Sequence, residues 1–356
     1  SLLNAPSAAR SSSCRIRLFG ATCAVVLWAL LLLLWAGDAD ARLVPSLPIG
    51  SSVTSAPDQS LQLNSCGATK KPLHTIIFMH GLNNHAQQYD HMQDWARACF
   101  GNVTPPMHSL PLFEGGDSLK TPMMAQRDGV VQYLVDNAAA LNITAAGFNI
   151  VAHSQGAILM RAVIEALPGS FPPVLSYVSM AGPQRGQFGM CALGKANLNS
   201  TLVKYLTKGF GWLAFYNPIA QRELSIASYW DDPSHQGLFR SQASFLPIIN
   251  NLVPHVDSAA FKTGFLRLSR AAFVGSDGDD CISPPLSSVF EFMDGRGNPT
   301  AMRASEEFAL DTFGLRTLSE RGRLVIAKPP GHKHGDWTDP GPGEPLFRAY
   351  VAPHLL

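Results

Sequence analysis

The sequence has no excess of charge of either sign, since 27 lysine and arginine residues balance 26 aspartate and glutamate residues to a net charge of +1. A protein that binds a polyanion needs a basic surface, so this balance argues against nucleic acid as a partner. The sequence also lacks Cys-x-x-Cys pairs and cysteine–histidine clusters with zinc-ligand spacing, so no metal site is predicted. What it does have is length and apolar content: 356 residues, 46% of them hydrophobic, are enough for a globular protein with a sizeable core.

Residues 1–41 have the pattern of a targeting segment. Three arginines precede an apolar stretch, Leu18–Gly37, and small residues follow at Ala39 and Ala41. This pattern predicts a signal peptide that is cleaved after the small residues. The alternative is an uncleaved signal anchor, because about 20 apolar residues can span a bilayer, and this segment is the only membrane contact expected. Both alternatives place the rest of the chain in the secretory pathway.

An oxidising lumen permits N-glycosylation and disulfide bonds. Three sequons are present, at Asn102, Asn142 and Asn199. Four cysteines lie beyond the targeting segment, and they allow three disulfide pairings between which the sequence does not choose. Buried free thiols are an equal alternative for these four, which are Cys66, Cys99, Cys191 and Cys281.

The rest of the chain divides by composition and periodicity. Residues 42–71 are rich in Ser, Pro and Gly and predict a flexible linker. Over residues 72–182, short apolar runs alternate with helical periodicity, which is the pattern of a mostly parallel sheet covered by helices. This pattern is interrupted over residues 183–268 and returns over residues 269–356. We therefore predict an α/β core in two parts with a region inserted between them.

The inserted region is rich in aromatic and aliphatic side chains. Such a composition suits a cap over an apolar ligand, and three residues of this region are predicted to contact that ligand, namely Trp230, Phe245 and Ile248. The alternative is that these residues form a small core of the insert itself.

The five residues Ala152–Gly156, with the sequence AHSQG, lie between a predicted strand, Phe148–Ala152, and a predicted helix, Gly156–Leu167. At such a turn the central residue projects its hydroxyl over the carboxyl edge of the sheet, and small flanking residues let strand and helix approach. Ser154 is therefore a predicted nucleophile, although Ala152 replaces the usual glycine of the motif. The alternative is an ordinary polar residue where a strand turns into a helix.

A serine nucleophile needs a base and an acid. In enzymes with such a serine elbow, the acid and then a histidine follow along the chain, each in the loop after a late strand. The loop after the strand-like run AAFVG contains Asp277, Asp279 and Asp280, and the loop after RLVIA contains His332 and His334. The alternative is that these residues are turn-forming aspartates and solvated histidines.

The oxyanion hole of such an enzyme combines two backbone N–H groups, one from the residue after the nucleophile and one from the loop after an early strand. These positions predict Gln155 and Leu82 as the donors. His80 is predicted to have a structural role, because its place at a strand end before Gly81 suits a residue that orients this loop.

Motifs spread over residues 75–337 resemble those of palmitoyl-protein thioesterases in order and spacing. They are MHGL, AHSQGA, VSMAGPQRGQFG, SYWDDP followed by SFLPIINN, DDCISPPLSSVFEF and PGHKHGDW. The blocks YWDDP and FLPIINN are the most specific part of the resemblance, because general lipases and esterases share only the serine motif. Among the cysteines only Cys191 resembles a family position, so the resemblance implies no disulfide pairing.

The resemblance implies an α/β-hydrolase fold with a mostly parallel central sheet and a helical, cap-like insertion that forms much of a fatty-acyl groove. It implies that Ser154 is the nucleophile and His334 the base, and that no cofactor is needed. The acid that it implies is Asp279, counted from Pro284, with Asp280 as the alternative.

The function that the resemblance implies is hydrolysis of long-chain fatty-acyl thioesters, from S-acylated proteins or peptides or from acyl-CoA, in the lysosomal lumen or a related endosomal compartment. Each buried methylene contributes about 0.8 kcal/mol, which would favour a long chain over an acetyl group. An oxygen-ester lipase or carboxylesterase of the same fold is one alternative, since a triad does not distinguish sulfur from oxygen leaving groups. A non-catalytic lipid-binding protein of the same fold is the other.

Overall fold

A computed structural model describes residues 73–189, 191 and 211–356 of the chain. The predicted targeting segment 1–41, the predicted linker 42–71 and the sequon at Asn199 lie outside the described residues. Within the described ranges, no helix has both the length and the apolar character needed to cross a membrane.

The strands form one large sheet and one small antiparallel pair. The described strands are β1 (Ile76–Met79), β2 (Met107–Ser109), β3 (Phe148–His153), β4 (Val174–Met180), β5 (Arg270–Val274), β6 (Phe292–Met293), β7 (Pro299–Thr300) and β8 (Leu324–Ala327). The large sheet has the order β2-β1-β3-β4-β5-β8, and every neighbouring pair in it is parallel. Strands β6 and β7 pair with each other. The prediction of a mostly parallel central sheet is confirmed.

Helices connect these strands, as parallel pairing requires a crossover each time. The α-helices are α1 (Asp90–Phe100), α2 (Gly116–Lys120), α3 (Met123–Asp136), α4 (Gln155–Ala166), α5 (Gly211–Phe215), α6 (Pro218–Glu223), α7 (Gln236–Gln242), α8 (Leu246–Ile249), α9 (Ser258–Leu266), α10 (Glu306–Ala309), α11 (Leu315–Glu320) and α12 (Pro340–Tyr350). Short 3-10 helices span Ala86–Tyr89, Gly101–Val103, Ser225–Tyr229, Pro285–Val289, Met302–Ala304, His334–Trp337 and Ala352–His354.

The sheet separates two apolar cores, because successive side chains of a strand point to opposite faces. On β1, Ile76 and Phe78 pack in a core with residues of α1 and α12, whereas Ile77 and Met79 pack in a core with residues of α3 and α4. All four side chains are essentially buried. Helices therefore cover both faces, and the carboxyl edge of the sheet is left for the loops that follow the strands.

Helix α4 lies at the centre of the larger core and packs against α3 and α9. A Cβ atom at Gly264 of α9 would lie 2.6 Å from the backbone oxygen of Glu165 in α4, so only glycine allows this close approach. Helix α9 falls within residues 183–268, the range predicted as an insert, yet it covers the sheet beside α4.

Candidate active site

Ser154 lies in the turn between β3 and α4, with φ 55° and ψ −132°. A positive φ is uncommon for a residue other than glycine and marks a strained position that its surroundings must hold. The surroundings are tight: a Cβ atom at Gly156 would lie 2.1 Å from the backbone oxygen of His80, and one at Gly81 would lie 2.9 Å from Cβ of Ser154. The end of β1 and the loop after it therefore pack directly against the turn that contains Ser154.

His334 joins Ser154 to Asp279. Its Nε2 lies 2.9 Å from Ser154 Oγ, and its Nδ1 lies 3.1 and 3.0 Å from the two carboxylate oxygens of Asp279. A carboxylate only accepts, so Nδ1 carries the proton and Nε2 is left to accept from the serine hydroxyl. The Asp279 side chain has no exposed surface and that of His334 has 11%, and such a low-dielectric setting strengthens both hydrogen bonds.

The loop of Asp279 is held by its own backbone and by a neighbouring segment. Oδ1 of Asp279 accepts hydrogen bonds from the backbone N–H groups of Cys281 at 2.9 Å and Ile282 at 2.8 Å. The side chain of Gln187 donates to the backbone oxygen of Cys281. A disulfide bond joins Cys281 to Cys191, which settles the pairing of these two cysteines. The aspartate is therefore fixed in place before any substrate binds.

The other acidic and histidine candidates have different contacts. Asp280 Oδ1 accepts from the backbone N–H of His334 at 3.2 Å, and Asp277 accepts a backbone N–H from the histidine loop. Nδ1 of His332 lies 3.8 Å from Asp336, and its side chain is 34% exposed. The structure thus brings together Ser154, Asp279 and His334, and leaves the other candidates outside this set.

Of the two predicted oxyanion donors, Gln155 follows Ser154 in sequence, and Leu82 follows Gly81, at which a Cβ atom would lie 2.9 Å from Cβ of Ser154. Gln155 is the first residue of α4, so its N–H has no acceptor within the helix. Neither this N–H nor that of Leu82 has a hydrogen-bond partner among the described residues. Both groups are thus available to a developing negative charge, and the positive end of the helix dipole adds to the effect.

The side chain of Gln155 anchors this region, a contact that sequence reasoning missed. Its Nε2 donates to the backbone oxygen of Ser118 at 2.8 Å, and its Oε1 accepts from the hydroxyls of Ser225 and Tyr229 at 2.8 and 2.9 Å. Oγ of Ser118 accepts from the backbone N–H of Asn83, next to Leu82. Both donor segments are therefore tied to Ser118, for which the local sequence gives no signal.

Three further polar residues contact the site. The ring nitrogens of His80 lie 2.9 and 3.0 Å from two backbone oxygens, those of Gly81 and Leu112, which fits its expected role of orienting the loop. His153 and Gln88 were not predicted. Burial lowers the pKa of His153 to about 3, so this residue is neutral. The only sequence signal for His153 is its position before the serine, and there is none for Gln88.

The three residues predicted to contact an acyl chain differ in accessibility. Trp230 and Phe245 have no exposed surface, and both pack in the larger core. The ring of Trp230 lies 4.4 Å from that of Phe215, centroid to centroid. This placement favours the alternative that the two residues form a core, because a ligand would have to displace their neighbours to reach them. Ile248 is half-buried and retains accessible surface.

Among the described residues, no group of three or more histidine, cysteine, aspartate or glutamate side chains is arranged to hold a metal ion. The chemistry that the arrangement offers is that of an activated serine. A serine at the strand-to-helix elbow of a parallel sheet, with an aspartate and a histidine after later strands, defines an α/β hydrolase.

Comparison with known proteins then gives the family. The chain belongs to the palmitoyl protein thioesterase family, whose family model matches residues 75–334, and it is a thioester hydrolase. The predictions of this family, of the α/β-hydrolase fold and of a thioester hydrolase are confirmed.

Similar proteins from three mammals are each named lysosomal thioesterase PPT2. The one from Rattus norvegicus is 29% identical over 335 residues, which cover 92% of this chain and 96% of the relative. The one from Bos taurus is 30% identical over 284 residues, covering 79% and 86%. The one from Homo sapiens is 29% identical over 322 residues, covering 88% and 94%.

Proposed function

We propose that the chain hydrolyses long-chain fatty-acyl thioesters of S-acylated proteins or peptides, with Ser154 as the nucleophile, His334 as the base and Asp279 as the acid. The observation that carries this proposal is the double contact of His334, 2.9 Å from Ser154 Oγ and 3.0 Å from the nearer oxygen of Asp279. Acyl-CoA presents the same thioester and is a substrate of the same class.

In the proposed reaction, Nε2 of His334 takes the proton of Ser154 while Oγ attacks the thioester carbonyl carbon. The carboxylate of Asp279 stabilises the imidazolium that forms. The negative charge on the carbonyl oxygen is stabilised by the N–H groups of Leu82 and Gln155, each worth about 2.7 to 4 kcal/mol.

The carbon–sulfur bond then breaks, and the leaving thiolate takes the proton from His334. A water molecule, deprotonated by the same histidine, attacks the acyl-serine ester in the second half of the reaction. The fatty acid leaves and the Ser154 hydroxyl is restored. No step requires a cofactor.

We propose different roles for the two-part α/β core and for the region inserted between its parts. Residues 72–182 and 269–356 supply the triad and the oxyanion donors, and residues 183–268 supply the acyl-binding part. Support for the second assignment comes from Tyr229 and Ser225, which contact the side chain of Gln155 from within this range. Ile248, with its accessible surface, is the residue we propose to contact the acyl chain.

We propose the lysosomal lumen, or a related endosomal compartment, as the site of action. The relatives are named lysosomal thioesterases, and residues 1–41 are expected to direct the chain into the secretory pathway. The Cys191–Cys281 disulfide bond fits an oxidising compartment.

The proposal is tested by the initial rates with three substrates: a palmitoyl thioester, an oxygen ester with the same chain, and an acetyl thioester. We expect the highest kcat/KM for the palmitoyl thioester and no turnover by Ser154→Ala. Faster hydrolysis of the oxygen ester would favour the activity of an oxygen-ester lipase or carboxylesterase. Turnover by Ser154→Ala would exclude this serine as the nucleophile.

A further inference from the structure

Two polar side chains connect the oxyanion loop to the backbone of the histidine base. Oε1 of Gln88 accepts from the backbone N–H of Gly81 at 3.0 Å, and its Nε2 lies 3.1 Å from Nδ1 of His153. Nε2 of His153 lies 2.9 Å from the backbone oxygen of His334. Three hydrogen bonds thus run in series from the residue before Leu82 to the residue that contacts Ser154.

The backbone groups at the two ends fix the direction of the whole series. The N–H of Gly81 only donates, so Gln88 must turn its oxygen towards it and its NH2 group towards His153. Nδ1 of His153 must then accept, which places the ring proton on Nε2. That proton is what the backbone oxygen of His334 requires, because a carbonyl oxygen only accepts. One tautomer of His153 satisfies every group.

The same histidine stays uncharged beside the base. His153 is 3% exposed, and its pKa is lowered to about 3, chiefly by burial and also by the positive charge that His334 takes up. The two rings are 4.6 Å apart, centroid to centroid. A charged neighbour at that distance would oppose protonation of His334, whereas a neutral one leaves it free to take the serine proton.

We propose that Gln88 and His153 are positioning residues that fix the oxyanion loop and the base relative to each other. The backbone of His334 is held on its other side by Asp280, which accepts its N–H at 3.2 Å. The inference rests on the proposed roles of Ser154 and His334, and it assigns to the residue before the serine a function that the serine motif does not require.

Two substitutions at His153 separate its two hydrogen bonds. In His153→Gln the amide nitrogen lies near the place of Nε2 and can still donate to the His334 oxygen, whereas in His153→Asn the side chain reaches only Gln88. We expect His153→Asn and Gln88→Met to lower kcat roughly 10- to 100-fold with little change in KM, the cost of a misplaced catalytic group. His153→Gln, which keeps the bond to His334 and loses the bond to Gln88, should lose clearly less kcat than His153→Asn.

The matched control is Asn149→Leu, at the opposite end of the same strand. Asn149 has no exposed surface, and its side chain donates to the backbone oxygens of His74 and Leu356. We expect this variant to lower Tm and to leave kcat unchanged. The inference is overturned if Asn149→Leu loses as much kcat for the same fall in Tm, if His153→Asn keeps the wild-type kcat, or if His153→Gln loses as much as His153→Asn.

A second readout does not depend on turnover. Nitrogen NMR of the folded protein should show His153 with Nε2 protonated and Nδ1 unprotonated between about pH 5 and 8, where an ordinary histidine titrates. A titrating ring, or the opposite tautomer, would overturn the inference even in an active enzyme. Fluorophosphonate labelling of Ser154→Ala, by contrast, would contradict the proposed function and leave the hydrogen-bond series intact.

Discussion

The Asp279→Asn substitution keeps the size of the side chain and changes what it offers to His334. Oδ1 of Asp279 accepts from the backbone N–H groups of Cys281 and Ile282, at 2.9 and 2.8 Å. An asparagine must keep its oxygen at that position, 3.1 Å from Nδ1 of His334 but already occupied by two backbone N–H groups. Its NH2 group would then replace Oδ2, the oxygen nearer to Nδ1 at 3.0 Å. Two donors cannot pair, and the histidine would move its proton to Nε2, where it can no longer accept from Ser154.

The magnitude follows from this change of tautomer. The equivalent substitution in a serine protease lowers kcat about 10⁴-fold, which corresponds to about 5.4 kcal/mol of transition-state stabilisation. Asp280→Asn serves as the comparison, because an asparagine there keeps an oxygen for the backbone N–H of His334. We expect that variant to lose about 1 kcal/mol, or roughly fivefold in kcat.

The assay is the measurement of kcat and KM for both variants with a palmitoyl thioester, together with Tm to exclude unfolding. A larger loss in Asp280→Asn than in Asp279→Asn would move the acid by one residue. A loss below tenfold in Asp279→Asn, with the protein folded, would refute the deduction that the two backbone donors dictate the orientation of the asparagine amide.

The remaining predictions concern the elbow, the buried acids and the acyl-binding region. Gly156→Ala, whose Cβ would lie 2.1 Å from the His80 oxygen, should lower the free energy of unfolding by about 3 kcal/mol or more in urea, and a loss below about 1 kcal/mol would contradict the close approach. Burial raises the pKa of Glu165 from 4.5 to about 8 and that of Asp231 from 3.8 to about 7. Between these values the folded protein keeps protons that the unfolded chain releases. The free energy of unfolding should therefore fall as the pH rises from about 5 to 7. Glu165→Gln and Asp231→Asn should flatten this dependence, and an unchanged slope would show that other groups cause it. Ile248→Trp should shift the preference towards shorter acyl chains and spare acetyl thioester turnover, and an unchanged chain-length profile would remove Ile248 from the acyl-binding surface.

The sheet and the core of the site could be predicted because their signals are local. Ser154 lies between an apolar strand and an apolar helix, and Gly156 provides the close approach that such a turn demands. Asp279 and His334 each follow a strand-like run, and parallel strands bring their carboxyl ends to one edge of the sheet. The choice among the three aspartates did not come from local signals: the resemblance to palmitoyl-protein thioesterases, counted from Pro284, implied Asp279, which contacts His334.

Contacts between distant segments could not be predicted in this way. Gln88 and His153 are 65 residues apart, and neither lies in a pattern that implies the other. Apolar composition does not distinguish a packed core from a ligand groove, as the complete burial of Trp230 illustrates. Likewise, helical periodicity over Ser258–Leu266 does not reveal that this helix packs along α4. The one sequence feature linked to that contact is Gly264, which permits the close approach.

The covalent intermediate offers the most direct test of the central claim. The protein is mixed with a palmitoyl thioester, quenched in acid within a single turnover and digested for peptide mass spectrometry. We predict a palmitoyl adduct on the peptide that contains Ser154, absent in Ser154→Ala and formed far more slowly in Asp279→Asn, in which His334 no longer accepts the serine proton. A turnover-competent protein that shows no adduct at Ser154, or one acylated on another residue, would contradict the proposed mechanism.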